Sequence, residues 1–208
     1  MDNVTPKDTN GSSPPLVLVT GFGPFRRYLS NPSWVAVQEL KALGLGENIR
    51  MHIALLPVHY QRCRELVARM WETLRPQLAV HIGVATAAKT VILEQCAKNH
   101  GYKEGDICGL TPEGNCCIEG GPEEIESLVN MRAIYKKFRS TDIAVLHSRD
   151  AGRFLCDFVY YLSLHHGNGR ACFIHIPAPS SDSEAKTPGK VLQLIVQEML
   201  QQLETDIH

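Results

Sequence analysis

From position 16 onward the chain alternates short apolar runs with longer amphipathic stretches. Leu16-Val17-Leu18-Val19-Thr20 is apolar and β-branched and closes on Gly21-Phe22-Gly23-Pro24, which predicts a buried strand ending at a turn. Asn31-Pro32-Ser33 reads as an N-cap with proline in the first turn, and predicts a helix to about residue 43. A second strand is predicted over 51–56. Between 60 and 74, Cys63, Leu66, Val67, Met70, Trp71 and Leu74 fall three and four apart, which is one face of a helix. Further strands are predicted over 78–83, 90–93, 143–147 and 171–176, and further helices over 131–138, 154–164 and 191–203.

Strand and helix thus alternate. That order predicts an α/β protein: a three-layer α/β/α sandwich around a mostly parallel sheet. In such sheets sites form beyond the carboxyl ends of the strands. No repeat or linker interrupts the pattern, so one domain is expected over 16–208. Residues 1–15 carry Ser, Asn, Asp, Pro and Gly without a core pattern and read as a disordered tail. The stretch 97–121 is polar, rich in Gly and Cys, and aperiodic, and predicts a long loop with room for a short hairpin.

Composition narrows the class. Hydrophobic residues make up 44% and charged residues 21% of the 208, and the net charge is −1. These values fit a globular domain with no electrostatic reason to seek nucleic acid or an anionic membrane. No leader-like apolar segment opens the chain, and no apolar run has bilayer length, so a cytosolic location is expected. The seven cysteines, at 63, 96, 108, 116, 117, 156 and 172, are therefore expected as free thiols.

Cys156 is the thiol best placed for chemistry. It falls in the first turns of a predicted helix, whose free N–H groups favour a thiolate and a developing oxyanion. The bland alternative is a small core residue. His175 ends the following strand and would pair with it as a base, although His147 also ends a strand and competes. His81 sits mid-strand and reads as structural. Glu94 ends Thr90-Val91-Ile92-Leu93-Glu94 and would orient an imidazole, but spacing does not choose it over Asp150 or Asp157. The turn Thr20–Phe25 lacks the glycines and the lysine of a phosphate loop, and Pro24 removes a donor. Cys96, His100, Cys108, Cys116 and Cys117 match no common zinc spacing, so no metal and no cofactor are expected.

Five segments in register, VTGFGPF, NPSWVAVQEL, TVILE, DAGRFLCDFVYY and FIHIP, resemble the pyroglutamyl-peptidase I family, a family of cysteine peptidases. The likeness covers nearly the whole chain from Leu16. It is closest to the vertebrate forms, and especially to the pyroglutamyl-peptidase I-like branch. The resemblance implies an α/β/α fold and a catalytic triad of Cys156, His175 and Glu94. It also implies an aromatic pocket from Phe22, Phe25 and Phe154, and hydrolysis of N-terminal pyroglutamate from peptides. Three stretches depart from the family pattern: Arg26-Arg27 after the first turn, Thr86 at a family glycine, and the polar segment after Pro177. They motivate a second expectation, a weak or inactive paralogue that keeps the fold to bind a peptide or protein. A metal-binding or redox protein using the cysteine-rich loop is a third. The sequence leaves the natural substrates and the oligomeric state open.

Overall fold

A computed structural model describes residues 14–25, 29–178 and 188–205. Six strands make the main sheet: β1 (Leu16–Phe22), β2 (Arg50–Leu56), β3 (Leu78–Ala85), β4 (Val91–Glu94), β7 (Val145–Ser148) and β8 (Ala171–Pro177), in the order β2-β1-β3-β8-β4-β7. Two short strands, β5 (Cys96–Lys98) and β6 (Glu124–Glu126), pair antiparallel beside it. The helices are α1 (Pro32–Leu43), α2 (Tyr60–Leu74), α3 (Met131–Phe138), α4 (Leu155–His166) and α5 (Pro188–Thr205).

The sheet is mostly parallel and buried on both faces. Val17 and Val19 of β1 point to a cluster completed by α1, α3 and α5, while Leu18 and Phe22 point to a second one built with α2 and α4. Strand periodicity of two produces this split, and near-continuous apolar runs are what a sheet covered on both sides requires. The predicted α/β/α layering and single domain are therefore present.

Element positions agree closely with the periodicity, and Asn31 caps α1 by accepting from the Ser33 N–H. Strands β1 and β3 run two residues further than their apolar cores suggested. The extra residues, Gly21-Phe22 and Val84-Ala85, stay paired because the neighbouring strands continue. Gly21 is needed there: a Cβ would stand 2.9 Å from the Ser33 carbonyl oxygen and the Trp34 Cα, so only glycine lets α1 pack on the strand end. Alternation of elements could not show that β4 is antiparallel to β8, or that it lies between β8 and β7.

The 97–121 stretch lacks periodicity but is well tied down. Asp106 accepts from the Tyr60 N–H at 3.1 Å at the start of α2, and Asn99 Oδ1 accepts from the Cys117 and Ile118 N–H groups at 3.1 and 2.8 Å. Tyr102 is fully buried. Among the described residues, no helix is long and apolar enough to cross a membrane. Of the tail expected over 1–15, residues 1–13 lie outside the described residues, as do Arg26-Arg27 and most of the polar segment after Pro177, while Pro14 and Pro15 accept hydrogen bonds from Arg50.

Candidate active site

Register brings the candidate residues to one face. On β8, Cys172, Ile174 and Ile176 join the α1/α3/α5 cluster, so Phe173 and His175 turn toward α4. On β4, Leu93 faces α1/α3/α5 and Glu94 therefore faces α4. Glu94 pairs with Phe173 and Ile92 with His175, so Glu94 and His175 are diagonal neighbours, within reach of a long side chain. Glu94 Oε1 stands 2.9 Å from His175 Nδ1. Both are buried, with 2% and 7% of their surface exposed. The antiparallel direction of β4 sets this diagonal.

Cys156 is the second residue of α4, whose N-cap is Phe154 with no side-chain cap bond. Phe158 N–H is the first to bond back along the helix, to Phe154 O at 3.0 Å, so the Cys156 N–H precedes the intrahelical ladder. The Cys156 thiol lies close enough to the His175 side chain to couple to it electrostatically. Burial pulls the His175 pKa down. The hydrogen bonds and charges of Cys156 and Glu94 together outweigh it and raise the value to about 10. A link thus runs from Cys156 through His175 to Glu94.

The alternatives left open by spacing fall away on geometry. His147 pairs with Leu93 and so faces α3, opposite Cys156. Burial and then Arg149 and Arg132 lower its pKa. His81 is fully buried, bonds Thr20 Oγ1 at 2.7 Å, and is held down to about 3 by burial, so it stays neutral and structural. Asp150 pairs with Arg153 at 2.7 Å, and Asp157 with Tyr102 at 2.9 Å, so neither reaches an imidazole. Of the three acids, Glu94 is the one on His175.

The aromatic candidates separate. Phe25 and Phe154 are both half-buried, with ring centroids 5.5 Å apart and planes tilted by 32°. Phe22 lies in the core beneath them, 4% exposed. Tyr60, not singled out in the sequence, packs its edge on Phe154 at 5.9 Å and bonds the Glu104 carbonyl, so the 97–121 loop braces the aromatic wall. A cavity of about 650 Å³ opens between the start of α2 and residues 106–119; neither Cys156 nor His175 lines it.

Two more residues escape a sequence reading. Gly83 pairs with His175, and a Cβ there would lie 2.9 Å from Cys156 Sγ and 2.8 Å from Phe173 Cζ. The space that Cys156 occupies exists because residue 83 has no side chain. Tyr160, fully buried, donates to the Glu94 carbonyl at 2.8 Å. Its spacing of four from Cys156 was a usable signal, since both share one face of α4. Thr86 sits in an exposed turn, and the positive φ values among the described non-glycine residues are at Arg75, Asn115 and Asn168 only. The family glycine is thus not replaced at a left-handed position. The loop cysteines are dispersed: Cys96 donates to Arg149 O, Cys117 to Phe158 O and Cys116 to Glu113 O, and Cys108 is exposed. Among the described residues no group of three potential ligands gathers.

A profile of the pyroglutamyl peptidase family matches residues 16–208. The chain belongs to the pyroglutamyl peptidase family. Rat pyroglutamyl-peptidase 1 is 47% identical over 190 residues, covering 90% of this chain and 91% of the rat protein. The human pyroglutamyl-peptidase 1-like protein is 46% identical over 167 residues, covering 79% of this chain and 85% of the human one. The fold matches the pyrrolidone carboxyl peptidase of Thermococcus litoralis with a TM-score of 0.79 at 27% identity, over 92% of this chain and 96% of that one. The family resemblance read from the five sequence segments thus holds over the whole described fold.

Proposed function

We propose that this family member is a cysteine omega-peptidase that removes N-terminal pyroglutamate from peptides, with Cys156 as nucleophile, His175 as general base and acid, and Glu94 as the group that orients His175. The observation that carries this reading is His175 held between the Cys156 thiol and a buried Glu94 carboxylate 2.9 Å away. The Cys156 sulfur attacks the pyroglutamyl carbonyl with the proton of the pair already carried by His175. The oxyanion develops at the N-terminus of α4, where the Cys156 N–H has no intrahelical acceptor. His175 then protonates the leaving amine, and water, deprotonated by His175, releases pyroglutamate from the thioester. Glu94 accepts from Nδ1–H throughout and keeps Nε2 toward sulfur.

Pyroglutamate is a neutral lactam without an α-ammonium, so its recognition calls for an apolar wall with a few polar contacts rather than a carboxylate. Phe25 and Phe154 supply that wall. A ring sandwiched between two others needs centroids roughly 7 Å apart, twice a carbon contact of about 3.5 Å. At 5.5 Å these two rings instead present a joint edge for the lactam to pack against. Phe22 supports them from the core.

The test is release of fluorophore from a pyroglutamyl amide by the purified, reduced protein, beside Cys156→Ala. Turnover that disappears in the variant at unchanged Tm is the expected result, a loss on the order of 10⁴-fold or more. A folded wild-type protein that releases nothing would overturn the reading.

A further inference from the structure

One buried acid has no part in this mechanism. Asp157 follows Cys156, is fully buried, and turns its carboxyl away from His175 toward the segment after β5. There the Lys98 N–H is shared between its two oxygens at 3.3 Å each, and the Tyr102 hydroxyl lies 2.9 Å from Oδ2. The same Tyr102 hydroxyl also contacts the Lys98 carbonyl. Arg153 Nη1 is 3.6 Å from Oδ2 and is already engaged by Asp150 and the Gly152 carbonyl.

A count of protons makes this arrangement specific. Three oxygens lie in a row: the Lys98 carbonyl, the Tyr102 hydroxyl and Asp157 Oδ2. Two hydrogen bonds between them need two protons, and Tyr102 carries one. If Asp157 is ionised, one contact is left as two facing lone pairs in a buried site. If Asp157 is protonated, Oδ2–H donates to Tyr102 and Tyr102 donates to the Lys98 carbonyl, and both contacts are satisfied.

We propose that Asp157 is a positioning residue carried as a neutral acid: it closes the chain Asp157–Tyr102–Lys98 that holds the first turn of α4, and with it Cys156, against β5, and its ionisation opens that chain and lowers turnover. An ionised Asp157 also places a negative charge at the helix N-terminus where the oxyanion has to develop. The groups facing it agree in balance. Burial is the main effect and raises the Asp157 pKa to about 7; Tyr102, Arg153 and the Lys98 N–H pull it down, and Asp150 pushes it up. Cys117, buried on the loop side, is near enough to feel the charge of Asp157.

The inference about turnover rests on Cys156 being the nucleophile, so the first reading of the test needs no activity. Asp157→Asn keeps the shape, donates to Tyr102 and cannot ionise. A folded-state value above the ordinary carboxyl range means that the stabilising contribution is complete at acid pH and is lost as pH rises through about 7. Measured from pH 5 to 8, the wild-type Tm is expected to fall relative to that of Asp157→Asn by roughly 5 °C. Coincident curves would overturn the proposal. In the activity arm, the ratio of kcat/KM at pH 7 to that at pH 9 is expected to drop about threefold in Asp157→Asn; an unchanged ratio overturns the link to turnover. A wild type without turnover would sink the peptidase reading and leave the Tm arm to decide on the chain. If Asp157→Asn does not fold, Tyr102→Phe serves: it removes both the acceptor of the Asp157 proton and the donor to the Lys98 carbonyl, so the Tm step between pH 5 and 8 should shift from its wild-type position. A step that stays in place overturns the proposal.

Discussion

The two faces of the sheet are built differently. Toward α1, α3 and α5 the buried sheet residues are Val, Leu, Ile and Cys, and the cluster they join is almost wholly aliphatic. Toward α2 and α4 the same strands turn Thr20, His81, Glu94 and His175, all buried, and the facing helices add Tyr60, Trp71, Phe158, Tyr160 and Tyr161. The aliphatic face needs only volume and shape. The other face holds polar groups in a low-dielectric interior, where each unpaired one costs about 1–3 kcal/mol. Hence the directed bonds there: Trp71 Nε1 to Ser163 at 2.8 Å, Tyr160 to the Glu94 carbonyl at 2.8 Å, Thr20 to His81 at 2.7 Å. One face holds the fold together, and the other is pre-organised around Cys156.

Substitutions on either face break that contrast in different currencies. The largest effect after Cys156→Ala is expected for Glu94→Gln, on the order of 10²- to 10⁴-fold in kcat, because the amide cannot hold the same tautomer of His175. It also bears on stability. His175 is raised to about 10 in the folded protein, so its contribution is complete below its ordinary value and is lost as pH rises through about 10. Wild-type stability should therefore decline between pH 7 and 10, and the decline should shrink in Glu94→Gln; equal slopes in urea titrations would dissociate the pair. Gly83→Ala comes next. The added methyl would press on Cys156 Sγ and Phe173, costing about 1–3 kcal/mol and at least tenfold in kcat/KM. A fully active Gly83→Ala would show that the thiol does not need its present position. Smallest on activity is Ile195→Ala on the aliphatic face. It should destabilise by about 2–5 kcal/mol, seen as a lower urea midpoint, and leave kcat/KM within about twofold below the transition. A large loss of activity there would mean that the two faces are not separable.

Much of the fold was legible from single segments. Helix α2 begins and ends where its apolar spacing does, and α1 starts at the Asn-Pro-Ser signal. These features are local: a capping side chain and a repeat of 3.6 act within one turn of where they are written. Cys156 at a helix start and His175 at a strand end were legible for the same reason. Glu94 was not separable from Asp150 or Asp157 by position, because the choice depends on which strand lies next to β8 and in which direction it runs. Gly83 carried no signal at all, since its role is the absence of atoms beside a thiol 73 residues away.

The sequence by itself determined the layers, since alternating elements with apolar runs can bury themselves only as helices on both faces of a sheet. It also determined the family, through short motifs whose order survives in the chain. The tertiary structure alone decided the pairing. By placing β4 antiparallel between β8 and β7, it sets Glu94 diagonal to His175, turns His147 to the far side, and brings Asp157 under Tyr102. Strand order and direction depend on which distant surfaces bury each other best, and that energy belongs to no single segment of the chain.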